Sequence, residues 1–151
     1  MVEHKYLVFL TLVVLLTGCA KESIVTYTPP PLEEDWSVKM TLSGGFAGLR
    51  RNIRVYSDGN YTVADEKVNH TINGTLTENQ LKQLEGMIST VEFTAPKIPS
   101  VCADCFNYDV EIVSGSRKLL FSVDDMSLKD SGVGDLVEFL RGLMDAALNR
   151  P

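Results

Sequence analysis

The alternation of apolar and polar residues that begins at Trp36 constrains the fold more than any other feature of this sequence. Apolar residues occupy every second position from Trp36 to Leu42, and polar residues fill the positions between them. Successive side chains of a strand point to opposite faces, so this pattern predicts a strand with one face in a core. Such a strand needs neighbouring strands to pair its backbone, and the fold must therefore contain a sheet.

Five further segments have the composition or the alternation of strands. Asp58-Gly59 is a strong signal for a hairpin turn, and Ser114-Gly115-Ser116 predicts a second turn between alternating segments. Asn73-Gly74 could also form a hairpin turn, but only two residues follow it before the next helix signal, so one continuous strand is predicted there. The predicted strands are residues 53–56, 61–63, 70–76, 106–112 and 119–123.

Two segments have the features of helices. Thr77-Glu78-Asn79-Gln80 is a capping box, and apolar residues recur at helical spacing after it to about Thr90. A second apolar stripe of this kind runs from Val133 to Ala147. Runs of strands with helices on one face indicate an α+β domain. We expect a single domain over residues 36–149, with an antiparallel sheet of five to six strands and both helices on one face.

The N-terminus has the features of an export signal. Residues 6–16 are almost wholly apolar, which is too short for a span of about 20 residues but fits a secretory signal peptide. Leu16-Thr17-Gly18-Cys19 follows and resembles the lipobox of bacterial lipoproteins. That resemblance implies that residues 1–18 are removed and that Cys19 is acylated, for example with palmitate. The alternative is an ordinary signal peptide with a chance Cys.

Residues 19–35 are predicted to form the lipidated N-terminus and a Pro-rich tether. Thr28-Pro29-Pro30-Pro31 cannot form a helix or a central strand, and the acidic residues after it are solvated. Each buried methylene of an acyl chain contributes about 0.8 kcal/mol to membrane binding, so lipid on Cys19 would hold the domain at a membrane. By resemblance, Ala20 favours the outer membrane if the cell has two membranes. The sequence thus predicts an exported, membrane-anchored protein of the cell envelope, and leaves the leaflet open.

A glycine-rich segment separates the first two predicted strands and is a candidate binding or structural loop. A dinucleotide-binding glycine loop must open a helix whose N-terminus meets the pyrophosphate, whereas strand-like residues follow this segment. We therefore expect a tight strand connection in which Phe46 or Leu49 packs under the sheet. The candidate residues are Ser43, Gly44, Gly45, Phe46, Gly48, Leu49 and Arg50.

Lipidation of Cys19 leaves Cys102 and Cys105 as a pair. An exported domain meets oxidising conditions, so a local disulfide is expected. The spacing also fits a redox motif, but a strand follows the pair and Asp104 lies within it, which disfavours a thiolate. A closed zinc site needs four Cys or His ligands, and His70 is the only His after Cys19. No metal, cofactor or catalytic residue is predicted.

The charge of the chain limits its partners. The net charge is −6, and phosphate binding needs a basic stripe, so nucleic acid is excluded. The one tight basic cluster is interpreted as a solvated strand face rather than an anion site, and consists of Arg50, Arg51 and Arg54. Asp124 and Asp125 end a strand and are interpreted as turn residues. Three glycosylation acceptor patterns, which matter only in an exporting cell that modifies them, begin at Asn60, Asn69 and Asn73.

The order of these elements resembles the emfourin family of small protein inhibitors of protealysin, a thermolysin-like zinc metallopeptidase. The likeness lies in the first strand, the glycine loop, the capped helix and the strand with Phe106-Asn107-Tyr108, and it covers roughly residues 36–148. It implies a protein-binding module that inhibits thermolysin-like metallopeptidases, and not an enzyme. The lipid anchor, the tether and the Cys pair depart from the short soluble inhibitor.

Two other functions stay open at this point. One is a structural envelope lipoprotein without separate activity, and the other is a thiol-redox protein that uses Cys102 and Cys105. The target protein and the oligomeric state do not follow from the sequence.

Overall fold

The computed structural model describes residues 26–29, 31–96 and 102–149. The strands are β1 (Thr26–Tyr27), β2 (Trp36–Gly44), β3 (Leu49–Tyr56), β4 (Asn60–Asp65), β5 (His70–Thr75), β6 (Phe93–Thr94), β7 (Phe106–Ser114) and β8 (Arg117–Asp124). The helices are α1 (Glu78–Thr90) and α2 (Gly134–Leu148), and a 3₁₀ turn covers Leu128–Asp130. The predicted signal peptide and Cys19 lie outside the described residues.

Six of the strands form one antiparallel sheet in the order β5-β4-β3-β2-β7-β8. Strand β2 lies in its centre, where Met40 pairs with Ile53 of β3 on one side and with Val110 of β7 on the other. This position explains the strict alternation of β2, since its apolar side chains are buried and its polar side chains are half-buried. The predicted α+β class, with an antiparallel sheet and two helices, is confirmed.

Helix α1 begins at the predicted capping box. The N–H of Gln80 donates to Oγ1 of Thr77, and the N–H of Thr77 donates to Oε1 of Gln80 at 2.9 Å. Both helices bury their apolar stripes in the same core as the apolar side of the sheet. The buried helix residues are Leu84 and Ile88 of α1 and Leu136, Val137, Leu140, Met144 and Ala147 of α2.

Strand β5 runs without interruption through Asn73 and Gly74, as predicted. Gly74 pairs with Tyr61, and a Cβ at position 74 would lie 2.4 Å from the Tyr61 ring. The aromatic side chain of β4 therefore occupies the space beside Gly74. The two predicted hairpins also form, and they connect β3 to β4 and β7 to β8.

The N-terminal part of the described chain lies against the domain. Strand β1 pairs with β6, and the ring of Tyr27 stacks on Phe93 at 6.1 Å. The buried Ser114 donates from Oγ to the carbonyl of Pro31 at 2.8 Å and accepts from the N–H of Glu33 at 2.7 Å. The described residues in the second half of the predicted tether therefore contact the domain, and the folded unit begins before Trp36.

The sheet has two ends with different loops. The glycine-loop end comprises the β2–β3 loop (45–48), the β4–β5 loop (66–69), the start of β7 and the end of β8. The Trp36 end comprises the start of β2, the β3–β4 turn (57–59) and the β7–β8 turn (115–116). All the glycine-loop candidates from the sequence lie at the first of these ends.

Candidate functional site

The glycine loop forms a tight turn that joins two strands, as predicted. Gly48 donates its N–H to the carbonyl of Gly45 at 2.9 Å, which leaves Phe46 and Ala47 as the central residues of the turn. Before the turn, Ser43 pairs with Arg50 and Gly44 with Leu49. The β2–β3 hairpin thus extends up to the turn.

Two glycines let the base of the loop approach the start of β7. A Cβ on Gly44 would lie 2.5 Å from the backbone oxygen of Cys105, and a Cβ on Gly45 would lie 2.5 Å from the ring of Phe106. Their φ angles of 98° and 68° belong to the region that other residues rarely adopt. The N–H of Gly45 donates to the carbonyl of Cys105 at 3.1 Å. Glycine is required here because neighbouring atoms occupy the space of a side chain.

Phe46 at the tip of the loop is 99% exposed. Of the two residues named as alternatives for packing under the sheet, Phe46 does not pack there, because a central residue of this turn projects beyond both strands. Leu49 pairs with Gly44 and is half-buried. Burial of a Phe side chain is worth about 1.5–3 kcal/mol, so full exposure leaves this contribution available for contact with a partner.

Two more exposed apolar residues lie on the neighbouring loops of the same sheet end. Val68 lies in the β4–β5 loop and Met126 lies just after β8, and each is 69% exposed. Single exposed apolar residues are ordinary on protein surfaces, so what these three residues share is their position at one end of the sheet. We refer to Phe46, Val68 and Met126 together as the loop-end surface.

Hydrogen bonds connect the loops that carry this surface. Lys67 Nζ donates to the carbonyl of Ala47, which ties the β4–β5 loop to the glycine loop. On the other side, the N–H of Asp125 donates to the carbonyl of Phe106 at 3.2 Å, and Phe106 packs beside Gly45. Hydrogen bonds to the β4–β5 loop and contacts with the start of β7 therefore hold the backbone of the glycine loop on both sides.

The arginines behind the glycine loop are paired with carboxylates. The ion pairs are Arg50–Glu66 at 2.5 Å, Arg51–Asp65 at 2.8 Å and Arg54–Glu111 at 3.9 Å. Arg51 differs from the predicted solvated face, since it shares a face with Leu42 and also reaches Asp145 of α2 at 3.8 Å. Its hydrogen bond to Asp65 lowers the pKa of that carboxyl group. These pairings favour a structural role over anion binding.

Asp125 fixes the start of β7, a role that the sequence did not indicate. Its carboxylate accepts from the N–H of Phe106 at 2.8 Å and from the hydroxyl of Tyr108 at 2.9 Å. Arg141 of α2 donates to the Tyr108 hydroxyl at 3.3 Å and lies over the Phe106 ring. Burial, together with the hydrogen bond to Asp125, raises the pKa of Tyr108 to about 12. Oδ1 of Asp124 accepts from the N–H groups of Met126 and Ser127 in the following turn, as expected of a turn residue.

Cys102 and Cys105 are joined by a disulfide directly before β7. Cys102 is exposed and Cys105 is buried. A strand follows the pair, whereas reactive thiolates are commonly stabilised by a helix N-terminus or a cation. His70 lies exposed at the start of β5. Among residues 26–29, 31–96 and 102–149, no group of three or more His, Cys, Asp or Glu could hold a metal ion.

The glycosylation acceptor patterns coincide with a structural ladder. Thr75 Oγ1 donates to Asn60 Oδ1 at 3.0 Å, and Thr62 Oγ1 donates to Asn73 Oδ1 at 2.9 Å. The Asn of each pattern thus contacts the Thr of the other across β4 and β5. Asn69 has a φ of 52°, a value that Asn tolerates better than most residues. Each Asn therefore has a structural reason to be present.

No protein-family model matches this chain, and no curated protein matches it either. Within the part of the chain that the structure describes, no helix is long and apolar enough to cross a membrane.

Proposed function

We propose that this protein is an exported lipoprotein, anchored through lipid on Cys19, that binds and inhibits a thermolysin-like metallopeptidase. The observation that carries the binding role is the full exposure of Phe46 at the tip of a fixed turn. The anchor rests on the lipobox-like Leu16-Thr17-Gly18-Cys19. The choice of a peptidase as the target rests on the resemblance to the emfourin family.

The geometry of the turn explains how the loop would inhibit a peptidase without being cleaved. A peptidase cleaves a chain that lies extended through its active site, whereas Phe46 and Ala47 sit in a turn closed by the Gly48 to Gly45 hydrogen bond. The contact of Lys67 with Ala47 supports the same conformation. A loop that is already ordered loses little conformational freedom on binding, which favours affinity.

The loop-end surface suggests how the contact is arranged. Large apolar side chains that fill a pocket dominate most protein interfaces, and less critical contacts surround them. Phe46 is the most exposed of the three residues and would fill an apolar pocket of the peptidase. Val68 and Met126, which are less exposed, would contact its rim.

Inhibition assays with matched variants test this proposal. The detergent-solubilised protein is titrated against a panel of thermolysin-like peptidases, and residual activity is measured. We expect saturable inhibition at or below about micromolar concentration. Phe46→Ala should weaken it at least about tenfold, the effect of losing about 1.4 kcal/mol. Leu120→Ala, which removes another exposed apolar side chain from β8, should leave it unchanged. Full activity of every peptidase at micromolar protein would reject the peptidase target.

Palmitate labelling tests the anchor separately. Cys19→Ser should abolish palmitate incorporation, although the apolar signal peptide, if left uncleaved, would still hold that variant at the membrane. Cys102→Ser is the matched control, because it removes a Cys without altering the lipobox, and that variant should still incorporate palmitate. A Cys19→Ser protein that still incorporates palmitate would contradict lipidation of Cys19.

A further inference from the structure

We propose that the Cys102–Cys105 disulfide is a redox-sensitive support that holds the glycine loop in its binding conformation. Redox control of binding rests on the proposed function, since it requires that the glycine loop binds a partner. The support of the loop does not, because it concerns only how the disulfide positions the backbone beside Gly44 and Gly45.

Cys105 is the residue through which the disulfide reaches the loop. Its carbonyl oxygen accepts from the N–H of Gly45 at 3.1 Å. The same oxygen would lie 2.5 Å from a Cβ on Gly44, so the two backbones are in close contact. The next residue, Phe106, packs its ring against Gly45. A shift of Cys105 would therefore move the groups that shape the base of the loop.

The short reach of the disulfide indicates a local role. It joins residues only 3 positions apart. A crosslink that closes so short a loop restricts the unfolded chain less than a long one does. In the folded protein it fixes the backbone at Cys105 relative to Cys102. Reduction removes this link, so the carbonyl of Cys105 gains freedom and Gly45 loses a fixed hydrogen-bond acceptor.

Cys102 is exposed and Cys105 is buried, so a dithiol reductant should attack Cys102 first. A thiolate of the dithiol attacks Sγ of the exposed Cys102, forms a mixed disulfide there and displaces Cys105 as a thiolate. The second thiol of the reductant then displaces Cys102 and closes the reductant into a disulfide. Two electrons and two protons pass from the dithiol to the two cysteines.

Amide hydrogen exchange at Gly45 tests the support directly. The detergent-solubilised full protein is compared in the oxidised form, after reduction with dithiothreitol, and as the Cys102→Ser/Cys105→Ser variant. The internal control is the amide of Gly59, which donates to Tyr56 at 2.9 Å at the other end of β3. We expect exchange at Gly45 to rise at least about tenfold in both forms without the disulfide, while Gly59 stays unchanged.

Two exchange results would overturn the support. Equal exchange rates at Gly45 with and without the disulfide would show that the disulfide does not hold the loop. A similar rise at Gly45 and Gly59 would show general loosening of the domain. The use of both chemical reduction and the double variant separates loss of the disulfide from any effect of the serines.

Inhibition assays on the same three preparations separate this inference from the proposed function. We expect inhibition to weaken about threefold or more when the disulfide is absent. Unchanged inhibition together with faster Gly45 exchange would reject redox control of binding. If the oxidised protein inhibits no peptidase, the proposed function fails, while exchange at Gly45 still decides whether the disulfide supports the loop.

Discussion

Strand β3 is flanked by two glycine-containing turns that lie in opposite environments. In the β3–β4 turn, Gly59 is buried, its carbonyl accepts from the N–H of Leu76 at 2.9 Å, and Leu81 of α1 lies close by. In the β2–β3 turn, Phe46 points into solvent. At Gly59 the first turn is covered by the domain itself. The second is fixed at its base and uncovered at its tip, and our proposal assigns recognition of a partner to that tip.

The same contrast extends across the two ends of the sheet. At the Trp36 end, side chains such as Trp36 and Ser114 are buried. At the glycine-loop end, hydrogen bonds hold the backbone while the loop-end surface stays exposed. A preorganised backbone that carries uncovered apolar side chains lowers the cost of binding. Fixed contacts therefore contribute to the core at the Trp36 end. In our proposal, they hold the loops for recognition of a partner at the glycine-loop end.

Among the changes at the two ends of the sheet, Gly44→Ala should cause the largest loss of stability. The new Cβ would overlap the backbone oxygen of Cys105 at a φ of 98°, and neither backbone can move freely. We expect the free energy of unfolding to fall by roughly 2–4 kcal/mol in urea denaturation. Gly48→Ala is the matched control, because its φ is also positive but its Cβ would meet no atom within 4 Å. Equal losses in the two variants would contradict the close approach.

Removal of the Ser114 hydroxyl, at the Trp36 end, should lower the free energy of unfolding by a smaller amount. Ser114→Ala leaves the N–H of Glu33 and the carbonyl of Pro31 without this partner, which should cost about 1–3 kcal/mol. Limited proteolysis should also cut faster near residues 31–35. Ser122→Ala on the exposed side of β8 should change stability by less than about 0.5 kcal/mol. Equal losses of stability in Ser114→Ala and Ser122→Ala would show that Ser114 does not hold residues 31–35 against the domain.

Tyr108→Phe should lower the free energy of unfolding modestly and change how it depends on pH. The lost hydrogen bond should cost about 1 kcal/mol at neutral pH. The pKa of Tyr108 is raised from 10.0 to about 12 in the folded state, so the folded protein holds this proton more tightly than the unfolded chain. This contribution is complete below pH 10 and is lost as the pH rises from 10.0 towards about 12.

Urea denaturation of the wild type, Tyr108→Phe and the control Tyr56→Phe over this pH range checks the prediction. Tyr56 is an exposed residue of β3, so its variant should follow the wild type. The wild type should lose stability above pH 10 more steeply than Tyr108→Phe. Parallel curves for the wild type and Tyr108→Phe would show that Tyr108 does not keep its proton in the folded state.

Phe46→Ala should have the smallest effect on stability. A fully exposed side chain makes little contribution to the core, so the change should stay within about 0.5 kcal/mol. Phe121→Ala, which removes a buried Phe of β8, should cost about 3–5 kcal/mol. A loss above about 1 kcal/mol for Phe46→Ala would show that the loop packs on the domain.

Most of the fold was predictable because its signals are local. The alternation from Trp36 to Leu42, the capping box at Thr77 and the turn at Asp58-Gly59 each specify structure within a few residues. Strands β1 and β6 were missed because two-residue strands show no periodicity, and the contact of Tyr27 with Phe93 joins distant parts of the chain.

The candidate site was less predictable because its features depend on long-range contacts. The exposure of Phe46 was not predicted because a lone aromatic residue among glycines has no periodic neighbours to define its face. Asp125 meets Tyr108 and Arg141 only after the sheet and α2 pack together. The role of Gly44 likewise depends on the backbone of Cys105, which lies on another strand connection.

In our proposal, the partner covers the glycine-loop end of the sheet and not the Trp36 end. Hydrogen exchange of the protein alone and in complex with an inhibited peptidase measures this directly. We predict that exchange slows at least about tenfold at residues 46–48 and 67–69, while residues 57–59 and 115–116 keep their rates. Unchanged exchange at residues 46–48, or protection confined to the Trp36 end, would contradict the account.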